Sequence, residues 1–171
     1  MVGGTRSALT DKFWRGYREA AGLRHDDYDV VAFGDDPEMA TELAELTVAG
    51  IKRATAGLVR QFGPDGEPSP AVGGYVILLD GAKRPRAIWR TTEVRTGPLN
   101  SVDERFAWDE GEGERTREWW LSAHRLFFGR RAAARGFQMH DEIETIFERF
   151  EVVWPPEIAD ISQPHGDTAG K

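Results

Sequence analysis

Residues 36–55 read Asp36-Pro37-Glu38-Met39-Ala40-Thr41-Glu42-Leu43-Ala44-Glu45-Leu46-Thr47-Val48-Ala49-Gly50-Ile51-Lys52-Arg53-Ala54-Thr55, and this stretch decides the fold. Asp36 is of the N-cap type, and Pro37 suits the first helical position, where a missing N–H is no loss. Met39, Leu43 and Leu46 fall on one helical stripe, and Gly50 suits the left-handed position that closes a helix. Residues 54–59 then read as a strand. The chain passes from a capped helix into a sheet and carries Lys52 and Thr55 across the junction. At strand spacing these two would lie on opposite faces, so the stretch must turn between them if both are to meet one substrate.

Upstream, residues 10–21 predict a helix capped by Thr10, with Phe13, Tyr17 and Ala20 or Ala21 on one face. Residues 28–33 form a short apolar run that ends at Gly34 and reads as extended. Downstream, Gly63-Pro64-Asp65-Gly66 is a turn, Tyr75 to Leu79 a buried strand, Asp80-Gly81 a second turn, and residues 87–94 the antiparallel partner. Residues 96–114 read as a long acidic loop with one helical turn near 101–106. A helix over 115–133 places Trp119, Ala123 and Phe127 on one stripe, with Trp120, His124 and Phe128 beside it. In 142–154 the spacing of Ile143, Ile146, Phe147 and Phe150 fits a helix, whereas the β-branched and aromatic residues near 150–154 fit a strand; a strand is taken for 145–153. The sum is an α+β domain over 10–155, a small mixed, largely antiparallel barrel or curled sheet flanked by helices. Residues 1–9 and 156–171 are expected to be flexible tails.

With 171 residues, 40% of them hydrophobic and 30% charged, the chain has the size and composition of one globular domain. The absence of cysteine excludes disulfides, zinc thiolate sites, iron–sulfur clusters and cysteine nucleophiles. No apolar run is long enough to cross a bilayer, and Met1 to Thr10 holds no apolar segment of the signal-peptide kind, so a cytoplasmic location is the expectation. A net charge of −7 argues against a protein that coats a long phosphate backbone, while leaving room for a cleft that grips one nucleotide or a short strand.

Two constellations can carry chemistry. Lys52 and Thr55 form a candidate pair, with Thr55 as nucleophile and Lys52 as base or charge stabiliser; the plain alternative is a solvated lysine after a helix and a threonine in a strand. The second is Phe106-Ala107-Trp108-Asp109-Glu110-Gly111-Glu112-Gly113-Glu114. Its carboxylates offer a general base or an oxygen-ligand metal site. Glu112 and Glu114 are also well placed simply to favour the start of the following helix, an explanation that suits Glu110 less well. The calcium-loop pattern is absent, as are a phosphate loop, a nucleophile elbow and HExxH spacing among the histidines. His124, within an aromatic stripe, is expected to be a buried, hydrogen-bonded structural residue that supports the Glu110 loop.

Taken in order, these pieces resemble the ASCH domain family, whose fold is related to the RNA-binding PUA barrel. The resemblance runs from about Phe13 to Trp154. It comprises Phe33-Gly34-Asp35, the GxKxxT signature at Gly50 to Thr55, Tyr75 to Asp80, and Ile88, Thr91 and Val94. It continues through Phe106-Ala107 with Glu110 to Gly113, His124 with Phe127-Phe128, and Phe150 to Val153. Glu114 departs from the Asp that many relatives carry there, and the acidic, Trp-rich start of the last helix belongs to a subgroup. The resemblance implies a cleft between barrel and helices floored by the GxKxxT segment. Some ASCH proteins are amidohydrolases that deacylate N4-acetylcytidine, and their catalytic residues map onto Lys52, Thr55 and Glu110. Others are ribonucleases or RNA-binding modules. The substrate is then a modified nucleoside or short single-stranded RNA, with no cofactor and no metal, and with Arg53, Arg90, Trp108 and Glu112 as candidate binding residues. Deacylation is the first reading, RNA cleavage the second and non-catalytic binding the third.

Overall fold

The computed structural model describes residues 2–63 and 66–160. Among the described residues six strands form one mixed sheet in the order β1-β2-β4-β5-β6-β3, an open half-barrel that leaves β1 and β3 as edges. The strands are β1 (Val2–Gly3), β2 (Asp29–Ala32), β3 (Ala54–Leu58), β4 (Tyr75–Leu79), β5 (Pro85–Pro98) and β6 (Glu144–Trp154). Among the described residues β2–β4 is the one parallel strand pair, and the other strand pairs are antiparallel. The expected strand pairing through Asp80-Gly81 is present as β4–β5. The expected turn at 63–66 lies partly on residues 64 and 65, outside the described residues.

Among the described residues four α-helices pack on the sheet: α1 (Ala8–Ala21), α2 (Pro37–Val48), α3 (Glu104–Glu110) and α4 (Arg117–Arg135). Asp36 caps α2 by accepting from Glu38 and Met39 N–H, and Pro37 occupies its first turn. Helix α1 starts earlier than expected. Ser7, not Thr10, is its N-cap, and Thr10 instead reaches back to the Ser7 N–H in a reciprocal box.

The acidic segment expected as a loop contains α3. Asp103 caps it on the Phe106 N–H, and Phe106, Ala107 and Glu110 form its buried face. Strand β5 also runs past the expected 87–94, because β6 pairs with it as far as Pro98.

At both ends the packed structure extends beyond 10–155. Val2–Gly3 pairs with β2. At the other end Ile158 packs on the core, while Asp160 accepts from Val152 N–H and forks with Arg53. Backbone pairing and a bidentate ion pair hold these segments where composition alone indicated tails; residues 161–171 lie outside the described residues.

Three apolar clusters divide the sheet. Trp14 of α1 packs with Tyr28, Ile77 and Ile88. Ala44 of α2 lies with Phe33, Val76, Leu78, Trp89 and Phe150. Helices α3 and α4 cover Ala54, Ala56, Leu58 and Phe147. Phe33, Trp89 and Phe150 stack in series, with centroids 5.6 and 4.4 Å apart, each contact worth about 1 kcal/mol beyond area burial. Among the described residues no helix is long and apolar enough to cross a membrane.

Candidate functional site

The α2–β3 junction builds the floor of the site. As α2 ends, Ile51 and Lys52 N–H both donate to the Leu46 carbonyl, and Gly50 takes the left-handed conformation. The next residue is held from two sides: Arg53 N–H donates to the Asp109 carbonyl, and Phe150 N–H donates to the Arg53 carbonyl. Lys52 therefore lies before the strand and Thr55 within it, which is the turn that the spacing required.

Glycine brings α3 against this junction. Gly111 closes α3 at φ +78°, and a Cβ there would stand 2.6 Å from the Ile51 carbonyl oxygen. Only glycine meets both the backbone angle and the close approach. At Gly113 (φ +52°) a Cβ would fall within the Trp119 ring, so the Glu112 loop also lies flat against α4. An ion pair between Arg149 and Asp109 ties the end of α3 to β6.

Lys52, Glu110 and Glu112 converge here. The Lys52 ammonium is 1% exposed and donates to Glu112 Oε1 at 2.6 Å. It lies 4.0 Å from Glu110 Oε1, 3.5 Å from the Glu110 carbonyl oxygen, and 4.9 Å above the Phe33 ring. A carboxylate at a helix C-terminus meets the negative end of the helix dipole, and Glu110 is the last residue of α3. Lys52 on one oxygen and His124 near the other offset this.

His124 stacks on Trp120 with centroids 3.6 Å apart, packs edge-on to Phe128, and points Nδ1 at the Trp120 carbonyl, 2.9 Å away. Its Nε2 lies 3.4 Å from Glu110 Oε2. A carbonyl can only accept, so Nδ1 carries a proton, and a second proton on Nε2 makes the ring a cation facing the carboxylate. Burial alone would lower the His124 pKa, but the Glu110 charge and hydrogen bonding outweigh it and raise it. Burial alone would raise the Glu110 pKa. The charges of His124 and Lys52 outweigh that and lower it.

Two polar atoms at this point lack a well-aligned hydrogen bond among the described residues: Trp120 Nε1, and Glu110 Oε2, which meets the His124 Nε2 only at 3.4 Å. Glu110, Glu112, His124 and Thr55 line one cavity of about 280 Å³, walled by Phe33, Met39, Leu43, Trp119 and Phe127. Thr55 Oγ1 likewise has no hydrogen-bond partner among the described residues. A more open groove of about 870 Å³ adjoins along α2 and shares Met39, Leu43, Glu112 and Trp119; its rim carries Glu38, Glu42 and Glu45.

Of the sequence candidates, Lys52, Thr55, Glu110 and Glu112 come together. Arg53, Arg90 and Trp108 do not join them. Arg53 is spent on Asp160 and the Thr47 carbonyl. Arg90 is half exposed on the outer face and pairs with Glu151. Trp108 is 57% exposed, with the Arg115 guanidinium on its face. His124, expected as a buried, hydrogen-bonded structural residue that supports the Glu110 loop, packs between Trp120 and Phe128 and faces Glu110. Sequence reasoning passed over Phe33 and Trp119 as ligand-facing aromatics, though both sit beside the quoted motifs. Among the described residues no group of three His, Asp or Glu is arranged to hold a metal ion.

The family model for the ASCH domain matches residues 29–154. The chain belongs to the ASCH domain family. The crystal structure of an ASCH domain from Lactobacillus crispatus JV V101 is similar to it with a TM-score of 0.80 and 28% identity, over 87% of this chain and 96% of that one. The crystal structure of a protein from Enterococcus faecalis V583 is similar with a TM-score of 0.75 and 36% identity, over 83% of this chain and 86% of its own. Comparison with curated proteins gives no match. The matched ASCH segment spans the cavity lining, from Phe33 through Thr55 to Glu110 and His124, and includes Lys52.

Proposed function

We propose that this ASCH domain is an amidohydrolase that removes the acyl group from N4-acylated cytidine, with Thr55 as nucleophile. One observation carries the reading: a buried threonine hydroxyl and an ionised carboxylate share a cavity, with a buried ammonium beside that carboxylate. Thr55 attacks the acyl carbon, and a carboxylate takes its proton. Lys52 keeps donor capacity beyond its bond to Glu112 and steadies negative charge on the carbonyl oxygen. The proton held between His124 and Glu110 is available to the departing N4 amine.

The cavity supports a small substrate. Its volume suits a nucleobase with a short acyl group, and Phe33 and Trp119 offer faces for stacking. The glutamates along the adjoining groove disfavour a polyanion. RNA cleavage, the second reading, would draw on Lys52, Arg53 and Arg90; Lys52 is at the site, but the two arginines are engaged away from the cavity.

The test is release of cytidine from N4-acetylcytidine by the purified protein, without added metal, with short single-stranded RNA assayed in parallel. Lys52→Ala and Glu110→Gln are each expected to lose about 100-fold or more. Thr55→Ser should retain part of the activity and Thr55→Ala none. Folded wild-type protein that turns over no N4-acylcytidine defeats the reading, and Lys52-dependent RNA cleavage in that preparation puts the second reading in its place.

A further inference from the structure

One buried carboxyl belongs to none of the roles above. Glu148 of β6 is 2% exposed and forms no ion pair among the described residues. Its Oε1 accepts two hydrogen bonds, from Trp89 Nε1 at 3.1 Å and Thr91 Oγ1 at 2.6 Å. Its Oε2 has no hydrogen-bond partner among the described residues.

In the β3–β6 ladder Glu148 stands directly opposite Thr55. Directly opposed residues of an antiparallel pair point to the same face, with Cβ atoms about 5 Å apart. The Thr55 hydroxyl, which lines the cavity, and the Glu148 carboxyl thus stand on the same face of adjacent strands. A purely structural role does not call for a glutamate here. Glutamine would accept from Trp89 and Thr91 through the same oxygen without placing an ionisable group in the interior.

We infer that Glu148, rather than Glu110, takes the proton of the Thr55 hydroxyl. The inference rests on the amidohydrolase reading and names its general base. The surroundings of the two carboxyls separate them. Glu110 is held ionised by His124 and Lys52 and has little affinity for a proton. Around Glu148, burial raises the pKa; the hydrogen bonds from Thr91 and Trp89 oppose it in part, and the charge of Asp29 on β2 adds to it. The net shift is upward, toward the range where a carboxylate abstracts protons best near neutral pH.

The steps balance. In acylation the Thr55 Oγ–carbon bond forms, the hydroxyl proton passes to Glu148 Oε2, the carbon–N4 bond breaks, and N4 takes the proton held by the His124–Glu110 pair. In deacylation water attacks the ester carbon and gives its proton back to that pair. The ester bond breaks, and Glu148 returns its proton to the Thr55 oxygen.

The test uses p-nitrophenyl acetate as well as N4-acetylcytidine. Nitrophenolate leaves without protonation, so acetylation of Thr55 by this ester, read by peptide mass, needs the base but not the Glu110–His124 acid. Glu148→Gln should slow Thr55 acetylation and kcat on N4-acetylcytidine each about 100-fold, with KM and melting temperature unchanged. Glu110→Gln should slow only the nucleoside reaction. In the wild type the acetylation rate should rise with pH through a value above the ordinary glutamate range, and Glu148→Gln should abolish that rise. Thr91→Val removes a hydrogen bond that lowers the Glu148 pKa, so it should move the rise to higher pH. This keeps the inference testable if Glu148→Gln does not fold. A folded Glu148→Gln protein acetylated at the wild-type rate, an unmoved profile in Thr91→Val, or a wild type never acetylated at Thr55 overturns the assignment. Glu148-dependent acetylation of Thr55 without turnover of any N4-acylcytidine sustains the base and removes the substrate.

Discussion

Replacing Lys52 by Met tests whether the charge cluster is held together as the distances indicate. Methionine keeps most of the apolar stem and removes only the ammonium. That ammonium lies 2.6 Å from Glu112 and 4.0 Å from Glu110, and it is 1% exposed. Two carboxylates then lose their cation. Glu110 retains His124, and Glu112, one-fifth exposed, can turn partly toward water. Breaking a buried pair by removing one partner costs roughly 3–5 kcal/mol, and the partial exposure of Glu112 argues for the lower end, about 3 kcal/mol. A Coulomb estimate at 4 Å with an effective dielectric near 20 gives about 4 kcal/mol, the same order. Most of this loss is the penalty of a stranded negative charge, so Lys52→Met/Glu112→Gln should recover roughly 1–2 kcal/mol of it. Urea titrations followed by tryptophan fluorescence measure both variants. Lowering the pH should narrow the gap between wild type and Lys52→Met, because protonation removes the stranded charge. A single variant within about 1 kcal/mol of wild type, or a double variant no more stable than the single, refutes the reasoning.

Two further outcomes concern the same site. His124 has its pKa raised in the fold, so its contribution is complete below the ordinary imidazole value and is lost as pH rises through the higher folded value. Glu110 is shifted down, so its contribution is present above the ordinary carboxylate value and is lost as pH falls through the lower folded value. Melting temperature against pH should show a plateau between these limits, and His124→Gln should flatten the alkaline decline; parallel declines in the two proteins contradict the pairing. Gly111→Ala should destabilise by about 2 kcal/mol or more, since it combines a left-handed alanine with a Cβ against the Ile51 carbonyl. A loss below about 0.5 kcal/mol in a denaturant melt would show that α3 can shift away from the junction.

What was legible in the sequence was local. Asp36, Pro37 and Gly50 punctuate α2 by their own backbone chemistry, and the β4–β5 hairpin is announced by an apolar run and Asp80-Gly81. Helix α3 was hidden because it is only seven residues long and rich in acid. It forms because Asp103 caps it and Phe106 and Ala107 pack on α4 and β6, contacts that no short window contains. The fates of Arg53 and Arg90 were equally invisible. Whether a cation faces a cleft or an ion pair depends on where Asp160 and Glu151 arrive from elsewhere in the chain. For the site, residue types drew attention to Lys52, Thr55 and Glu110, and the family resemblance joined them. The place of Glu148 opposite Thr55 is set by strand register alone, and in sequence it is one more glutamate in an alternating strand.

The fold places two glutamates near Thr55 and gives them opposite surroundings. Glu110 ends a helix, where the backbone disfavours negative charge, so the structure supplies Lys52 and His124 and the carboxylate stays ionised. Glu148 stands mid-strand with no cation paired to it among the described residues; hydrogen-bond donors ease its charge, burial and the Asp29 charge oppose it, and its proton affinity rises. Carboxyls driven apart in this way divide acid and base duties between them. The division follows from position: a helix end can be approached by cations from a neighbouring loop and from α4, whereas the middle of a paired strand is reached only by the strands beside it. Moving a cation next to Glu148, for example by Val94→Lys on the facing strand β5, should then lower its proton affinity. The pH dependence of Thr55 acetylation should shift to lower pH, and the maximal rate should fall as the base weakens. A shift to higher pH, or none in a folded variant, would show that the surroundings of Glu148 do not set the reactivity of Thr55.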